Sequence, residues 1–470
     1  MSQVGTSSQP LRVAIIGAGP AGFYAAEYLL KKAGIEVSVD MYDRLPTPFG
    51  LVRHGVAPDH EKIKSVTKVY DRIAADPCFR FFGYVELGKD IHVADLRQHY
   101  HQIIYATGAQ TDRNLNIPGI ELERSRTATE FVAWYNGHPD FRHYTFDLSQ
   151  ERVAVVGVGN VAMDVARILL RSPQELATTD IADYALEALS QSNVKEVILM
   201  GRRGPAQAAF TPPEIREMGH LLEADVIVSE EDATPDPLSQ AWLDDLSNRD
   251  AREARKNVET LQEYAQQEPT GKPKKLIIKF LVSPIELIGN NQDEVAGMKV
   301  VYNELYENRP GSMRPRATDR VEIWPVDLVF RSIGYEGVRL EGVPFRDDWS
   351  IIPNEAGRIC DLETGRQVIG EYVTGWIKRG PSGIIGTNKP DAVETVKTML
   401  EDLADGNILF PPAPDWEAAR NMVQEHQPQY FSYEDWQLLD SLEVARGESQ
   451  GRPRVKFVSI EEMLEAAGKQ

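Results

Sequence analysis

A strand, a glycine-rich turn, a helix and a second strand follow one another near the start of the chain, and this unit constrains the fold more than any other feature. The apolar run LRVAII at residues 11–16 has the length of a strand, and the turn GAGPAG follows it from Gly17 to Gly22. Apolar residues with helical spacing begin at Phe23, and the run EVSVDMY leads to Asp43. This order predicts a Rossmann-type βαβ unit, which binds dinucleotides.

The same unit returns later in the chain with a different ending. The strand RVAVV at residues 152–156 precedes the turn GVGNVA from Gly157 to Ala162, and the helix MDVARILL follows. The second strand, VKEVILMG, ends at Gly201 and is followed by Arg202 and Arg203 instead of an acidic residue. Two such units predict an α/β protein with two Rossmann-like domains.

The two endings predict two different nucleotides. Asp43 follows the first turn at the end of its second strand, where a carboxylate accepts hydrogen bonds from ribose hydroxyls. A carboxylate would repel a 2′-phosphate, whereas Arg202 and Arg203 can bind one, so the second site should prefer NADP to NAD. Two sites of different character suggest a flavin enzyme, with a resident FAD in the first site and a diffusing nicotinamide cofactor in the second.

Composition narrows the function further. The chain of 470 residues carries a formal charge of -20, which argues against a nucleic-acid-binding protein. Its two cysteines, Cys78 and Cys360, form no Cys-x-x-Cys pair, so dithiol chemistry is excluded and a reducing, cytoplasmic location is expected. We also expect no signal peptide, no membrane span and no metal site.

Several long strings strongly resemble adrenodoxin reductase-like ferredoxin–NADP reductases, and most closely the bacterial NADPH-ferredoxin reductases of that family. They are, in chain order, MYDRLPTPFGLVRHGVAPDH, YATGAQ, VVGVGNVAMDVARILL, GRRGPAQAAFTPPEIRE and GWIKRGPSGIIGTNKPDA. The resemblance runs from about Arg12 to Leu400. It implies a glutathione-reductase-like architecture in which the NADP domain is inserted into the FAD domain.

Domain boundaries can be placed near residues 110 and 335. We expect an FAD-binding domain made of residues 1–109 and 336–407, with an NADP-binding domain at 110–335 between the two parts. Residues 408–470 are expected to form an appendage, with short helices at WEAARNMVQEH and SIEEMLEAAGK and a basic strand or extended arm at RPRVKFV. It could cover the FAD, guide a partner or only pack.

The resemblance also implies which residues hold the two cofactors. The expected FAD contacts are Gly17, Ala18, Gly19, Gly22, Asp43, Leu51, Val85, Trp376, Gly383, Ile384 and Ile385. The expected NADP contacts are Gly159, Asn160, Val161, Ala162, Arg202, Arg203, Glu214 and Gly383. The family usually has Glu at the position of Asp43.

His60 and Glu214 are the candidate catalytic residues. Glu214 would reach the nicotinamide end of NADP, although an acid in a first helical turn after two prolines also has a purely structural interpretation. His60 would lie near the flavin and tune hydride or proton movement, or it would be an ordinary structural histidine. Replacing it should reduce the rate without abolishing it, because hydride transfer depends mainly on alignment.

An electron-accepting partner would dock through local positive charge, since ferredoxins are acidic. Helical spacing places Arg249, Arg252 and Lys256 on one face, and Lys378 and Arg379 lie beside the predicted flavin loop. The alternative is a solvated, salt-bridged face, because Asp250, Glu253 and Glu259 are interleaved with these cations.

The sequence thus predicts an FAD-dependent ferredoxin–NADP reductase. Hydride would pass from NADPH to N5 of FAD, and two one-electron steps would deliver electrons to a ferredoxin-type iron–sulfur protein. Two alternatives remain open: a non-catalytic flavin- and NADP-binding regulator, and an electron-input subunit of a larger enzyme. The direction of electron flow, the particular ferredoxin and the oligomeric state are not fixed by the sequence.

Overall fold

The computed structural model describes residues 4–31, 35–245, 251–309 and 312–469. The chain divides into two compact units, and each contains its own hydrophobic core. Unit 1 comprises residues 1–111, 136–142 and 334–470, and unit 2 comprises 112–135 and 143–333. The predicted assignment of FAD to the first range and NADP to the second stays a prediction.

The strands of the described residues are short, except for two that form a hairpin. In chain order they are β1 (Leu11–Ile16), β2 (Val37–Asp43), β3 (Phe79–Gly83), β4 (Gln102–Tyr105), β5 (Thr111–Asp112), β6 (Ser125–Thr127), β7 (Arg152–Val156), β8 (Glu196–Met200), β9 (Ala224–Val228), β10 (Lys274–Lys279), β11 (Val282–Gly289), β12 (Val295–Arg309), β13 (Ser312–Trp324), β14 (Leu328–Arg331), β15 (Tyr335–Glu336), β16 (Asn354–Glu355), β17 (Arg358–Cys360) and β18 (Gln367–Val373).

The helices lie between these strands and in the C-terminal part of the chain. In chain order they are α1 (Pro20–Leu30), α2 (Leu51–His54), α3 (Glu61–Lys64), α4 (Thr67–Ala74), α5 (Val93–His99), α6 (Ala128–Tyr135), α7 (Asn160–Leu170), α8 (Pro173–Leu176), α9 (Asp183–Ser190), α10 (Pro212–Met218), α11 (Glu230–Ala233), α12 (Pro237–Asp244), α13 (Ala251–Ala265), α14 (Trp376–Arg379), α15 (Asn388–Asp405), α16 (Trp416–His426), α17 (Tyr433–Glu448) and α18 (Ile460–Ala466). Short 3-10 turns occur at Pro139–Phe141, Pro205–Gln207 and Ile385–Thr387.

Unit 1 is built on a seven-stranded sheet in the order β16-β17-β18-β4-β1-β2-β3. The strands from β18 to β3 are parallel, and β16 and β17 form an antiparallel edge. Every residue of β1 is buried, as expected for an interior strand of a parallel sheet with both faces covered. Helix α1 begins at Pro20, where proline replaces an N–H that the first helical turn would leave unpaired.

Unit 2 contains a second sheet, in the order β6-β14-β7-β8-β10-β9, and all of its strand pairs are parallel. A separate antiparallel sheet joins β11, β12 and β13. Strands β12 and β13 form the long hairpin, hereafter the β12–β13 hairpin. Its pairing runs from Met298 opposite Trp324 to Arg309 opposite Ser312.

The main predicted elements are confirmed by the structure, and the tail differs in two places. The strands at 11–16 and 152–156 have the predicted limits, and so does the helix at WEAARNMVQEH. Helix α1 starts at Pro20 instead of Phe23. Of the two alternatives predicted for RPRVKFV, the strand is wrong and the extended arm stays a prediction, and the unpredicted helix α17 lies between the two predicted tail helices.

The tail belongs to the core of unit 1. Trp436 and Leu439 of α17, together with Phe457, join the same buried cluster as Phe49 and Val52. Trp436 and Phe457 are each only 2% exposed. Within the part of the chain that the structure describes, no helix is both long enough and apolar enough to cross a bilayer.

Candidate functional site

The two glycine turns are built in the same way. The N–H of Gly17 donates to the carbonyl of Tyr42 at 2.8 Å, and the N–H of Gly157 donates to the carbonyl of Met200 at 2.9 Å. In both units the turn therefore crosses from the first strand to the end of the second. Asp43 and Gly201, each one residue further along, occupy equivalent positions. An acid in one unit corresponds to a glycine in the other, and this glycine is closely packed, since a Cβ there would lie 3.0 Å from both side-chain methyl carbons of Val158.

Glycine has a different steric role at each of the three positions of the first turn. Gly17 has a φ of +110°, and a Cβ there would lie 2.5 Å from the carbonyl oxygen of Ala106. A Cβ on Gly22 would lie 2.2 Å from the oxygen of Gly17, so this glycine permits the helix to pack on the strand. A Cβ on Gly19 would meet nothing within 4 Å. The open space at Gly19, beside the N-terminus of α1, fits the pyrophosphate of FAD.

Asp43 lies beside this turn and helps to hold it. Its carboxylate accepts hydrogen bonds from the N–H of Ala18 at 2.9 Å and from the N–H of Leu45 at 3.0 Å. Burial raises the pKa of Asp43, and the two N–H donors oppose that effect. The position at the end of β2 is the one predicted for the ribose acid, and its contact with FAD stays a prediction.

A segment from Phe49 to His54 lies against the first turn. The N–H of Phe49 donates to the carbonyl of Ala18 at 2.7 Å, and a Cβ on Gly50 would lie 3.1 Å from the Cα of Gly19. Phe49 has a φ of +84°, an unfavourable conformation for a bulky residue. Leu51, the first residue of α2, is 39% exposed despite its apolar side chain. The segment therefore presents a hydrophobic side chain close to the turn, and the packing of Leu51 on the flavin stays a prediction.

The loop before α15 also approaches the start of α1. A Cβ on Gly375 would lie 2.6 Å from the Cβ of Ala21. The N–H of Gly375 donates to the carboxylate of Asp391 at 2.6 Å. The Trp376 ring stacks on Tyr335 with centroids 5.5 Å apart. Further along this loop, Ile384 is 58% exposed. Three segments of unit 1 therefore lie beside the first turn: the end of β2 at Asp43, residues 49–54 and the loop that begins at Gly375.

The remaining residues predicted around FAD have mixed surroundings. Val85 is 1% exposed, and its N–H donates to the carbonyl of Asp43 at 2.9 Å. Gly383 has a φ of +83°, and a Cβ there would lie 2.3 Å from Oγ1 of Thr387. Ile385 is half-buried and begins the turn before α15. His60 is half-buried at the N-terminal boundary of α3. The functional roles of these residues stay predictions.

The second turn offers a similar opening. Gly157 has a φ of +137°, and a Cβ there would lie 2.0 Å from the carbonyl oxygen of Ser332. A Cβ on Gly159 would meet nothing within 4 Å, which again leaves space at a helix N-terminus. Ala162 is fully buried in the place of the third glycine, and Val161 is half-buried. This geometry fits the pyrophosphate of a second dinucleotide.

The segment after the second turn carries Glu214. The N–H of Thr211 donates to Oδ1 of Asn160 at 2.8 Å, and α10 begins at the next residue. Glu214 is 8% exposed and accepts from Arg167 at 3.3 Å. Arg167 is fully buried and also binds Asp164 at 2.7 Å. A buried ion-pair network therefore fixes Glu214, and its predicted contact with nicotinamide stays a prediction.

The predicted docking cations have different fates. The prediction that Lys378 docks a partner is wrong. Its side chain is only 7% exposed and pairs with Asp391 at 3.0 Å and Glu394 at 2.6 Å, so it presents no free charge to a partner. Arg379 also pairs with Asp391, at 3.0 Å. On α13, Arg252 is exposed and Lys256 is half-buried. Arg249 lies outside the described residues.

Two dinucleotide turns, one followed by an acid and the other by two arginines, define a flavin-linked pyridine nucleotide oxidoreductase. Residues 11–204 match the model of the family described as pyridine nucleotide-disulphide oxidoreductase. This range contains both turns and both arginines.

Two known proteins, one of them also compared through its solved structure, show how far the likeness extends. NADPH-ferredoxin reductase FprA of Mycobacterium tuberculosis is 44% identical to this chain, over 97% of this chain and 99% of the relative. The human mitochondrial NADPH:adrenodoxin oxidoreductase is 38% identical, over 98% and 93% respectively. The solved structure of M. tuberculosis FprA in complex with NADPH matches with a TM-score of 0.88 and 43% identity, over 98% of this chain and all of the other.

The chain therefore belongs to the adrenodoxin reductase-like ferredoxin–NADP reductase family. The predicted fold class, the predicted oxidoreductase class, and the predicted cofactors FAD and NADPH are confirmed. The individual contact residues remain predictions, supported by the steric openings at Gly19 and Gly159.

Proposed function

We propose that this chain uses NADPH to reduce a ferredoxin-type iron–sulfur protein through a tightly bound FAD. The observation that carries the proposal is the pair of matched strand–turn–helix–strand units, of which the first has Asp43 at the end of its second strand and the other has Gly201, Arg202 and Arg203 there. FAD, when bound, supplies the chemistry that converts a two-electron donor into two one-electron deliveries. A relative 44% identical over nearly its whole length carries the name NADPH-ferredoxin reductase.

The residues of unit 1 would hold and shield FAD. The N–H groups at the start of α1, beside Gly19, would bind the pyrophosphate, and Asp43 would accept hydrogen bonds from the ribose. Leu51 and Ile384, both exposed apolar side chains, would pack on the ring system and exclude water. The half-buried His60 would tune the reaction near the flavin.

The residues of unit 2 would select and orient NADPH. Gly159, Asn160, Val161 and Ala162 would bind the pyrophosphate at the start of α7. Arg202 and Arg203 would bind the 2′-phosphate through charge-assisted hydrogen bonds. Glu214, fixed by Arg167, would reach the nicotinamide.

The partner would dock through basic side chains at the surface, and the exposed Arg252 and the half-buried Lys256 on α13 remain proposed contacts. Arg252 is exposed and carries a charge that an acidic protein surface would attract over about 8–10 Å in physiological salt. The cytoplasm remains the proposed location, supported by two cysteines that form no disulfide.

An anaerobic absorbance titration of the purified holoprotein tests the proposal. We expect near-stoichiometric NADPH to bleach the flavin and NADH to bleach it poorly, and a ferredoxin to restore the oxidised spectrum. Arg203→Glu should weaken NADPH by about 100-fold or more with little effect on NADH, because it replaces an attraction to the 2′-phosphate by a repulsion. Equal losses for both cofactors would contradict the 2′-phosphate assignment. A flavin that NADPH leaves oxidised would favour the regulator alternative.

A further inference from the structure

A cavity of about 380 Å³ in unit 2 contains three arginines. Arg202 and Arg203 follow β8, and Arg314 comes from the β12–β13 hairpin, more than a hundred residues away in sequence. Among the described residues, no carboxylate pairs with any of these three guanidinium groups. Asp236, on the neighbouring helix α12, uses its carboxylate to cap that helix. Three cations that share one cavity, with no carboxylate partner in the described part of the chain, make an anion-binding site.

The electrostatics of Arg203 reflect this crowding. Burial lowers the pKa of Arg203, and the charges of Arg202 and then of Arg314 lower it further. Arg203 and Arg314 line the same cavity, and the Coulomb repulsion between like charges grows as their separation falls. A phosphomonoester dianion between the two would turn this repulsion into two attractions.

The hairpin that carries Arg314 is fixed to the rest of unit 2 at both strands. On β12, Nδ2 of Asn303 donates to the backbone carbonyl of Arg202 at 3.0 Å. On β13, the sulfur of Met313 accepts from Nε2 of Gln207 at 3.5 Å and from Oγ of Ser239 at 3.3 Å. Arg314 follows Met313 directly, so the contacts that hold Met313 in the cavity wall also fix the backbone of Arg314.

The other walls of the cavity suit a flat, partly polar ring. Trp242 and Pro315 offer apolar surfaces, and Trp242 offers an aromatic face on which a base can stack. Oε1 of Gln207 is buried and has no hydrogen-bond donor among the described residues. An exocyclic amino group, such as that of adenine, would supply the missing donor.

We infer that this cavity binds the adenosine 2′-phosphate end of NADP and that Arg314 is a third, specificity-determining contact of the 2′-phosphate. The inference rests on the proposed function, and it adds to it a residue supplied by the hairpin. Selection of NADP over NAD then depends on two separate parts of the chain. The Arg202–Arg203 pair follows β8, and Arg314 approaches from the antiparallel sheet.

Calorimetric titration of the oxidised holoprotein tests this assignment with four probes: NADP⁺, NAD⁺, 2′,5′-ADP and inorganic phosphate. The test variant is Arg314→Gln, and Arg203→Gln is the reference for a predicted phosphate contact. Arg316→Gln is the matched control, since Arg316 lies two residues further along β13 and pairs with Glu304 at 2.5 Å outside the cavity. Arg314→Lys keeps the charge and tests whether it restores part of the binding.

We expect Arg314→Gln to raise the Kd of NADP⁺ and of 2′,5′-ADP by about 10- to 100-fold, the loss of one charge-assisted hydrogen bond. The Kd of NAD⁺ and the flavin content should not change, Arg316→Gln should match wild type, and Arg314→Lys should recover part of the loss. If Arg314→Gln binds NADP⁺ within twofold of wild type while Arg203→Gln does not, the inference fails and the proposed function stands. If neither variant separates NADP⁺ from NAD⁺, the proposed NADP site itself fails. Inorganic phosphate that binds as tightly as 2′,5′-ADP would show a general anion site and overturn the nucleotide assignment.

Discussion

Replacing Glu443 by glutamine should destabilise unit 1 strongly, although Glu443 lies far from the glycine turns in sequence. Glu443 is fully buried and accepts from Arg53 at 2.9 and 2.5 Å, from Arg454 at 3.2 Å and from the N–H of Phe457 at 2.9 Å. Burial on its own raises the pKa of Glu443, but the charge and hydrogen bonds of Arg53, the charge of Arg454 and the N–H of Phe457 together outweigh it and hold the pKa below its ordinary value. The carboxylate is therefore ionised at neutral pH and neutralises buried cations.

Glu443→Gln keeps the shape and removes the charge. Arg53, only 5% exposed, would then be a buried cation without its counter-charge, and breaking such a pair costs about 3–5 kcal/mol. With a urea dependence of about 2–3 kcal/mol per molar, the unfolding midpoint of unit 1 should fall by roughly 1–2.5 M. Because Arg53 lies in α2 beside Leu51, we also expect FAD to dissociate at lower urea.

Equilibrium urea unfolding, followed by tryptophan and flavin fluorescence, measures both effects. Glu417→Gln is the matched control, since its pair with Arg420 in the same tail is half exposed on both sides, and its loss should change stability by less than ~1 kcal/mol. A midpoint for Glu443→Gln within ~0.2 M of wild type would refute the reasoning, because it would mean that Arg53 needs no counter-charge.

Three further outcomes follow from the same structure. Gly19→Val should give a folded protein without FAD, since the valine side chain would fill the open space at the first turn. Flavin absorbance of the purified protein checks this, and full flavin content would contradict it. His60→Gln should slow flavin reduction by NADPH without abolishing it, measured by stopped-flow absorbance, and a complete loss would contradict a tuning role. The buried His101 accepts from the N–H of Arg12 at 3.0 Å, and burial together with the Arg12 charge lowers its pKa from 6.5 to about 4. Between pH 6.5 and pH 4 the unfolded chain binds a proton at His101 and the folded chain does not. The free energy of unfolding should therefore fall by about 3 kcal/mol as the pH is lowered from above 6.5 to 4. Urea unfolding at several pH values measures this fall, and His101→Gln should lack that part of it.

Local features of the chain were sufficient to predict the two nucleotide turns. The apolar run at 11–16 and the glycines at Gly17, Gly19 and Gly22 each meet a requirement within the same βαβ unit, so their spacing carries the information. The difference between the two strand ends, Asp43 in the first unit and Gly201 followed by two arginines in the second, could be predicted in the same way, because neighbouring residues determine where a strand ends.

Contacts between distant residues were not predictable from patterns along the chain. Arg53 and Glu443 are 390 residues apart, and neither has a local feature that marks it as buried. Lys378 was wrongly interpreted as a docking residue because α15, which carries Asp391 and Glu394, folds back onto it. The left-handed backbone of Phe49 likewise follows from its packing beside Ala18 and Trp436, since phenylalanine alone does not favour it.

The strand order of unit 1 has a consequence for how the protein is made. Strand β4 lies between β1 and β18 in the sheet, yet β18 leaves the ribosome only after about 260 further residues, roughly 10–50 s later at ordinary rates of synthesis. Unit 2 is encoded almost entirely within that interval, so its parallel sheet can form while the first sheet is still incomplete. The counter-charge for Arg53 arrives later still, with α17. Flavin loading should therefore be one of the last events in the maturation of a newly made molecule.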